Sequence, residues 1–139
     1  THLIKIASEV AVGKRSKIVI YGNDYPTPDG TAIRDYIHVS DLATAHVKAA
    51  EYLISNQKSE IINCGYGKGF SVRDVLNIFN KVNEKRINIE KGERRPGDSP
   101  MLVSNVNKLN NILDWHPKYN DLSFIIKTAI EWEKKLLVK

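Results

Sequence analysis

Two short arginine sites are the residues best suited to chemistry in this chain. Arg34 lies in the run Gly-Thr-Ala-Ile-Arg-Asp-Tyr at 30–36, and Arg94-Arg95 precede Pro96-Gly97-Asp98. A guanidinium can hold two oxygens of one phosphate, so two such loops converging on a pocket would suit a diphosphate. Alternatively, each arginine braces its own loop, Arg34 with Asp35 or Asp29 and Arg95 with Asp98. Tyr21 ends an apolar run beside the first site and could stack on a base or belong to the core.

Other chemistry is sparse. Gly65-Tyr66-Gly67-Lys68-Gly69 sits between an apolar run and a helix start, where phosphate-binding loops occur. It does not fit G-x-G-x-x-G, because Phe70 stands where the third glycine belongs, and a tight strand-to-helix turn is the plainer reading. None of the six tyrosines has a lysine four residues later, and neither H-E-x-x-H nor G-x-S-x-G occurs. Asp35 and His38 fall on opposite faces if both lie on one strand. His2, His38, His46 and His116 have no metal-ligand spacing, so no metal site is expected. The lone Cys64 follows Ile61-Ile62-Asn63 and reads as a small buried hydrophobe in a reducing compartment.

These residues need a scaffold. The 139 residues are 42% hydrophobic and 27% charged, enough for one domain, 1–139, with a real core. No apolar run approaches a membrane span and no signal peptide is evident, so a cytoplasmic location is expected. The net charge is +5, but the charges are scattered over helix faces, as at Lys127, Lys134 and Lys135. That pattern speaks for a solvated surface and against nucleic acid.

Periodicity predicts a mixed α/β unit of short strands and about five helices. A helix over 3–12 stops at Gly13, and β-branched Ile18-Val19-Ile20-Tyr21 makes a strand. A second strand is expected at 35–39. Ser40 is the expected cap of a helix with Ala43, Val47, Ala50 and Ile54 as its inward stripe. A short buried strand is expected at 60–64. Ser71 and Asp74 form a capping box for a helix that buries Val72, Val75, Leu76, Phe79 and Val82. A strand at 87–90, a helix near 105–113 and a helix from 121 onward complete the set. In the last, Leu122, Ile125, Ile126 and Ala129 face inward with Trp132 as an anchor.

The stretch 22–46, GNDYPTPDGTAIRDYIHVSDLATAH, followed by INCGYGKGFSVRDV and ERRPGD, resembles the C-terminal part of the UDP-glucose 4-epimerase (UDP-galactose 4-epimerase) family. That family belongs to the extended short-chain dehydrogenases/reductases, and the likeness runs the length of the chain. It implies a substrate-binding C-terminal portion without a complete Rossmann domain. The long loop and its flanking strands would then wall a UDP-sugar pocket. The backbone of Val19, Ile20 and Tyr21 would hold uracil, with Tyr21 in the aromatic position. Arg34 and Arg95 would clamp the diphosphate, and Asp98 would meet the ribose hydroxyls. His2 and Leu3 would line the phosphate end, and Leu102 stands where some members carry a larger tyrosine beside the sugar.

The family binds NAD on an N-terminal glycine-rich unit and uses a Tyr-x-x-x-Lys pair to move the proton of the sugar 4-hydroxyl. Neither motif occurs in this sequence, so the resemblance implies no catalytic residue and no NAD binding by this chain alone. UDP-glucose and UDP-galactose are the implied ligands, and the N-terminal half the implied partner. Two alternatives stand beside an epimerase portion: a stand-alone UDP-sugar-binding or complementing module, and a basic nucleic-acid-binding domain.

Overall fold

A computed structural model describes residues 2–83 and 85–138. Five helices are present among them: α1 (Leu3–Ala11), α2 (Val39–Asn56), α3 (Val72–Val82), α4 (Asn107–Ile112) and α5 (Leu122–Lys135). The strands are short: β1 (Ile18–Tyr21), β2 (Ile33–Asp35), β3 (Gly69–Ser71), β4 (Ile89–Gly92) and β5 (Met101–Leu102). The mixed α/β class expected from periodicity is therefore the observed one.

The strands form two small sheets. β1 pairs in parallel with β4, and β2 lies between antiparallel β3 and parallel β5. The main core joins α1, α3 and α5 to the inner face of β1. Ile4 and Ala7 meet Val75, Leu76 and Phe79, with Ile18, Ile20, Ile125, Ile126 and Ile130 around them. Strand alternation sends Ile18 and Ile20 inward and leaves Val19 and Tyr21 on the other face. A second cluster gathers Ala45, Leu109, Leu113 and Trp115, with Tyr66 packed against both clusters.

The Ser71–Asp74 capping box forms as its S-x-x-D pattern predicts, with both reciprocal hydrogen bonds present. Its energy goes into positioning as well as stability. Asp29 accepts from Thr31 N–H at 2.8 Å, from the Thr31 hydroxyl at 2.7 Å and from the Ser71 hydroxyl. The turn-rich loop 22–30 is thereby tied to the start of α3.

Several expectations fail, each for a physical reason. The second strand ends at Asp35 and α2 starts at Val39, capped by His38, whose Nδ1 accepts from Ser40 N–H at 3.1 Å. The stripe Ala43, Val47, Ala50, Ile54 faces outward, with Val47 58% and Ile54 77% exposed. The buried face of α2 instead carries Asp41 and Ala45, because a buried Asp41 satisfies backbone donors that no alanine could. Residues 60–64 form no strand. Among the described residues, no backbone group from Lys58 to Cys64 pairs with another backbone group, so the ladder a strand needs is missing. On α5 the expected Leu122, Ile125 and Ile126 are buried and are joined by Ile130 and Glu133, whereas Trp132, expected as an anchor, is 58% exposed. Buried Glu133 is the carboxylate for Lys14 at 2.9 Å and for Lys5, and these two cations pull its pKa below the ordinary glutamate range.

Candidate functional site

A cleft of about 570 Å³ opens between α1, the outer face of β1, β2 and the loop 93–98. It is within the size range of small-molecule sites, roughly 300–1,000 Å³. Its lining brings together His2, Leu3, Val19, Tyr21, Arg34, Arg95 and Asp98 from widely separated parts of the chain. Two of the expected residues are not among those whose atoms line it. The Ile20 side chain is buried in the main core, and Leu102 on β5 is 65% exposed and outside the cleft lining.

Local structure explains how the charged residues meet. Pro96-Gly97 occupies the corner of a turn closed by Asp98 N–H on Arg95 C=O at 3.2 Å. Gly97 has φ +83°, the conformation a type II turn requires after proline and one that glycine adopts freely. The turn folds Asp98 back onto Arg95, giving contacts of 2.9 Å from Nε and 2.8 Å from Nη2. Arg34 arrives from β2, its Nη1 donating to Ile33 C=O at 2.7 Å and its Nη2 lying 4.0 Å from Asp98. One carboxylate thus sits between two guanidiniums, leaving net positive charge for an anion. Arg95 also lies over the Tyr21 ring, 4.8 Å from its centroid. The loop-bracing ion pair expected between Arg95 and Asp98 exists, and it stands inside the cleft, where a phosphate could exchange with it.

The strand edge contributes polar groups as well. Ile18 N–H bonds Asn88 C=O and Gly22 N–H bonds Gly92 C=O, so the even-numbered positions of β1 face β4. Alternation leaves the N–H and C=O of Val19 and Tyr21 on the edge of β1 that pairs with no strand among the described residues. The backbone of Ile20 points instead at β4.

The remaining lining residues include some that sequence reasoning missed. Arg15 and Lys17 reach the cleft, paired with Glu9 and with Glu90 at 2.8 Å respectively. The alternation Lys17, Val19, Tyr21 could have revealed the lysine. Tyr36 also lines the cleft, and burial drives its phenol up to about 12, so it stays protonated at neutral pH. His2 meets the Tyr36 ring edge-on at 6.1 Å, and burial pushes the pKa of its imidazole below the usual range.

The turn around Gly65 is not an anion cradle. Asp35 accepts from Tyr66 N–H at 3.2 Å and Gly67 N–H at 2.9 Å, so a carboxylate occupies the place where a phosphate would sit. Cys64 is half-buried in the second cluster, and burial raises its thiol pKa, which suits packing and not nucleophilic attack.

The profile of the family described as GDP-mannose 4,6 dehydratase matches residues 1–128. A UDP-glucose 4-epimerase from Azospirillum brasilense is 46% identical over 98% of this chain and 39% of its own length. Among solved structures, the UDP-Glc/GlcNAc 4-epimerase from Campylobacter jejuni is 48% identical with a TM-score of 0.87, over 96% of this chain and 40% of that one. A UDP-glucose-4-epimerase from Stenotrophomonas maltophila, with bound NAD and formylated UDP-arabinopyranose, gives 0.94 at 31% identity, over 99% and 41%. The chain therefore spans about two-fifths of the length of the relatives it matches.

Proposed function

From a chain that belongs to the GDP-mannose 4,6 dehydratase family, we propose the UDP-sugar-binding portion of a UDP-glucose 4-epimerase. The observation that carries this is the convergence of Arg34, Arg95, Asp98 and Tyr21 on one cleft. The two guanidiniums take the diphosphate, displacing Asp98 toward the ribose hydroxyls. The free N–H and C=O of Val19 and Tyr21 offer uracil a donor and acceptor pair, and the Tyr21 ring covers its face. His2 and Leu3 close the phosphate end. Leu102, exposed and outside the cleft lining, takes the sugar side only once the rest of the protein is in place. The lone thiol fits a reducing compartment, and we place the protein in the cytoplasm.

Calorimetric titration with UDP, UDP-glucose and UDP-galactose tests the reading. Saturable binding is expected, with UDP alone supplying most of the affinity. A folded chain that gives no heat at millimolar UDP would overturn it.

The residues present do not fit NAD. The one glycine-rich turn between an extended segment and a helix is filled by Asp35, and no Tyr-x-x-x-Lys pair exists. Epimerisation thus calls for the remaining three-fifths of the relatives' length. The outward stripe of α2 and the unpaired segment 58–64, where Ile61 is 90% exposed, are the face that meets it. A helix followed directly by an extended segment is one half of a parallel β-α-β unit, and such a helix covers a sheet face. Mixed with the unmatched portion of the Azospirillum brasilense enzyme, the chain should form a one-to-one complex that interconverts UDP-glucose and UDP-galactose. Val47→Glu should abolish the complex and the turnover together. Turnover by the chain alone, or a complex indifferent to Val47→Glu, would refute this assignment.

A further inference from the structure

Arg94 and Arg95 are adjacent, yet their surroundings differ completely. Arg95 turns toward the cleft and the Tyr21 ring. Arg94 turns the other way, onto the loop 22–30. Its Nε donates to Asp24 Oδ1 at 2.7 Å and its Nη2 to the Asp24 C=O. Its guanidinium covers the Tyr25 ring, 4.3 Å from the centroid. Tyr25 is only 4% exposed, so that ring is a fixed platform.

The platform is rigid on its own account. Tyr25 N–H bonds Gly30 C=O at 3.0 Å, and Asp29 ties the loop to Ser71 at the cap of α3. Gly22 admits Arg94 to it. A Cβ at Gly22, where φ is +82°, would come within 2.5 Å of the Tyr25 ring and 2.8 Å of Arg94 Cγ. The segment carrying the arginines has little support of its own. Among the described residues, its one backbone–backbone hydrogen bond between positions 93 and 98 is the turn from Asp98 to Arg95.

Arg94 and Arg95 lie on different rings, Tyr25 and Tyr21, and in a segment with so little backbone support, holding one residue sets the direction of the next. We infer that Arg94 is a positioning residue: by gripping Asp24 and Tyr25, it aims Arg95 at Tyr21 and the ligand diphosphate. This rests on the UDP reading of the cleft for its consequence, though not for its geometry. It also gives the long loop 22–30 a task, as the fixed plate against which the arginine loop is set. Arg94–Asp24 is a solvent-exposed pair, so its loss should move the melting temperature little.

Two measurements on the chain decide it. In the ligand-free protein, nuclear Overhauser contacts between the Arg95 side chain and the Tyr21 ring should vanish in Arg94→Ala. They should weaken in Arg94→Lys, which keeps the charge but loses the two-point hold. With UDP, Arg94→Ala should weaken binding about tenfold in the native background and less than about twofold in an Arg95→Ala background, the signature of coupled residues. Asp24→Ala should reproduce the Arg94→Ala effect from the other side of the contact. Retained Arg95–Tyr21 contacts in Arg94→Ala, or equal affinity losses in both backgrounds, would overturn the inference. If native chain fails to bind UDP, the pocket reading falls, and the Arg95–Tyr21 contacts alone decide whether Arg94 positions its neighbour.

Discussion

Arg34→Ala should weaken UDP binding by about a hundredfold, and Arg95→Ala by about ten- to thirtyfold, from a charged hydrogen bond worth roughly 1.5–3 kcal/mol. The ranking follows from burial and from existing partners. The Arg34 side chain is 26% exposed, and its carboxylate neighbour is at 4.0 Å, so its charge is held largely unneutralised. Arg95 is 54% exposed and already donates twice to Asp98, bonds that a phosphate must replace. Replacement by lysine should recover part of the loss at Arg95 and little at Arg34, where the fork already uses Nη1 on the Ile33 carbonyl. Calorimetry on the folded variants measures both. Unchanged affinity in Arg34→Ala would show that the diphosphate does not lie between these loops.

The second large effect concerns stability. Asp41→Ala should destabilise the chain by about 3–5 kcal/mol, because several buried donors lose their acceptor at once. Asp41 is 1% exposed and accepts from the Tyr66 hydroxyl at 2.6 Å, Lys118 N–H at 3.0 Å and Tyr119 N–H at 2.9 Å. Tyr66 in turn accepts from His38 N–H at 3.1 Å, so the carboxylate links the start of α2 to two distant segments. Asp41→Asn keeps the shape but sets an amide N–H₂ against these donors, and should cost about 2 kcal/mol.

The same residue gives a pH dependence. Burial alone would push its carboxyl upward, but the Tyr66 hydroxyl and the two backbone donors outweigh it, and its pKa lies below the usual aspartate range. A folded-state pKa below the unfolded one means the stabilisation is complete above about pH 4 and is lost as pH falls through the lower folded value. Asp29 and Glu133 shift the same way and add to the loss. Urea melts at pH 7, 4 and 3 should show the native chain losing stability steadily below pH 4, with Asp41→Asn losing less. Parallel losses in both proteins would place the acid sensitivity elsewhere.

Much of the scaffold was legible because its signals are local. The alternation of Ile18-Val19-Ile20-Tyr21 determined which side chains enter the core, and the S-x-x-D cap placed the start of α3. Pro96-Gly97 determined the turn that folds Asp98 onto Arg95, since fixed φ at proline and free φ at glycine act within four residues. What the tertiary structure decided depends on partners distant in sequence. An apolar stripe on α2 shows that a face is apolar, not what covers it, and here Asp41 takes the inner side because its acceptors match donors at 118 and 119. The apolar run at 60–64 has strand composition, but a strand exists only with a neighbour to bond, and none is present among the described residues. Leu102 shows the same limit, since its place on β5 is set by pairing with β2. The two arginine loops were visible as residue types; that they meet across one cleft follows from parallel pairing of β1 with β4 and β2 with β5, contacts spanning about half the chain.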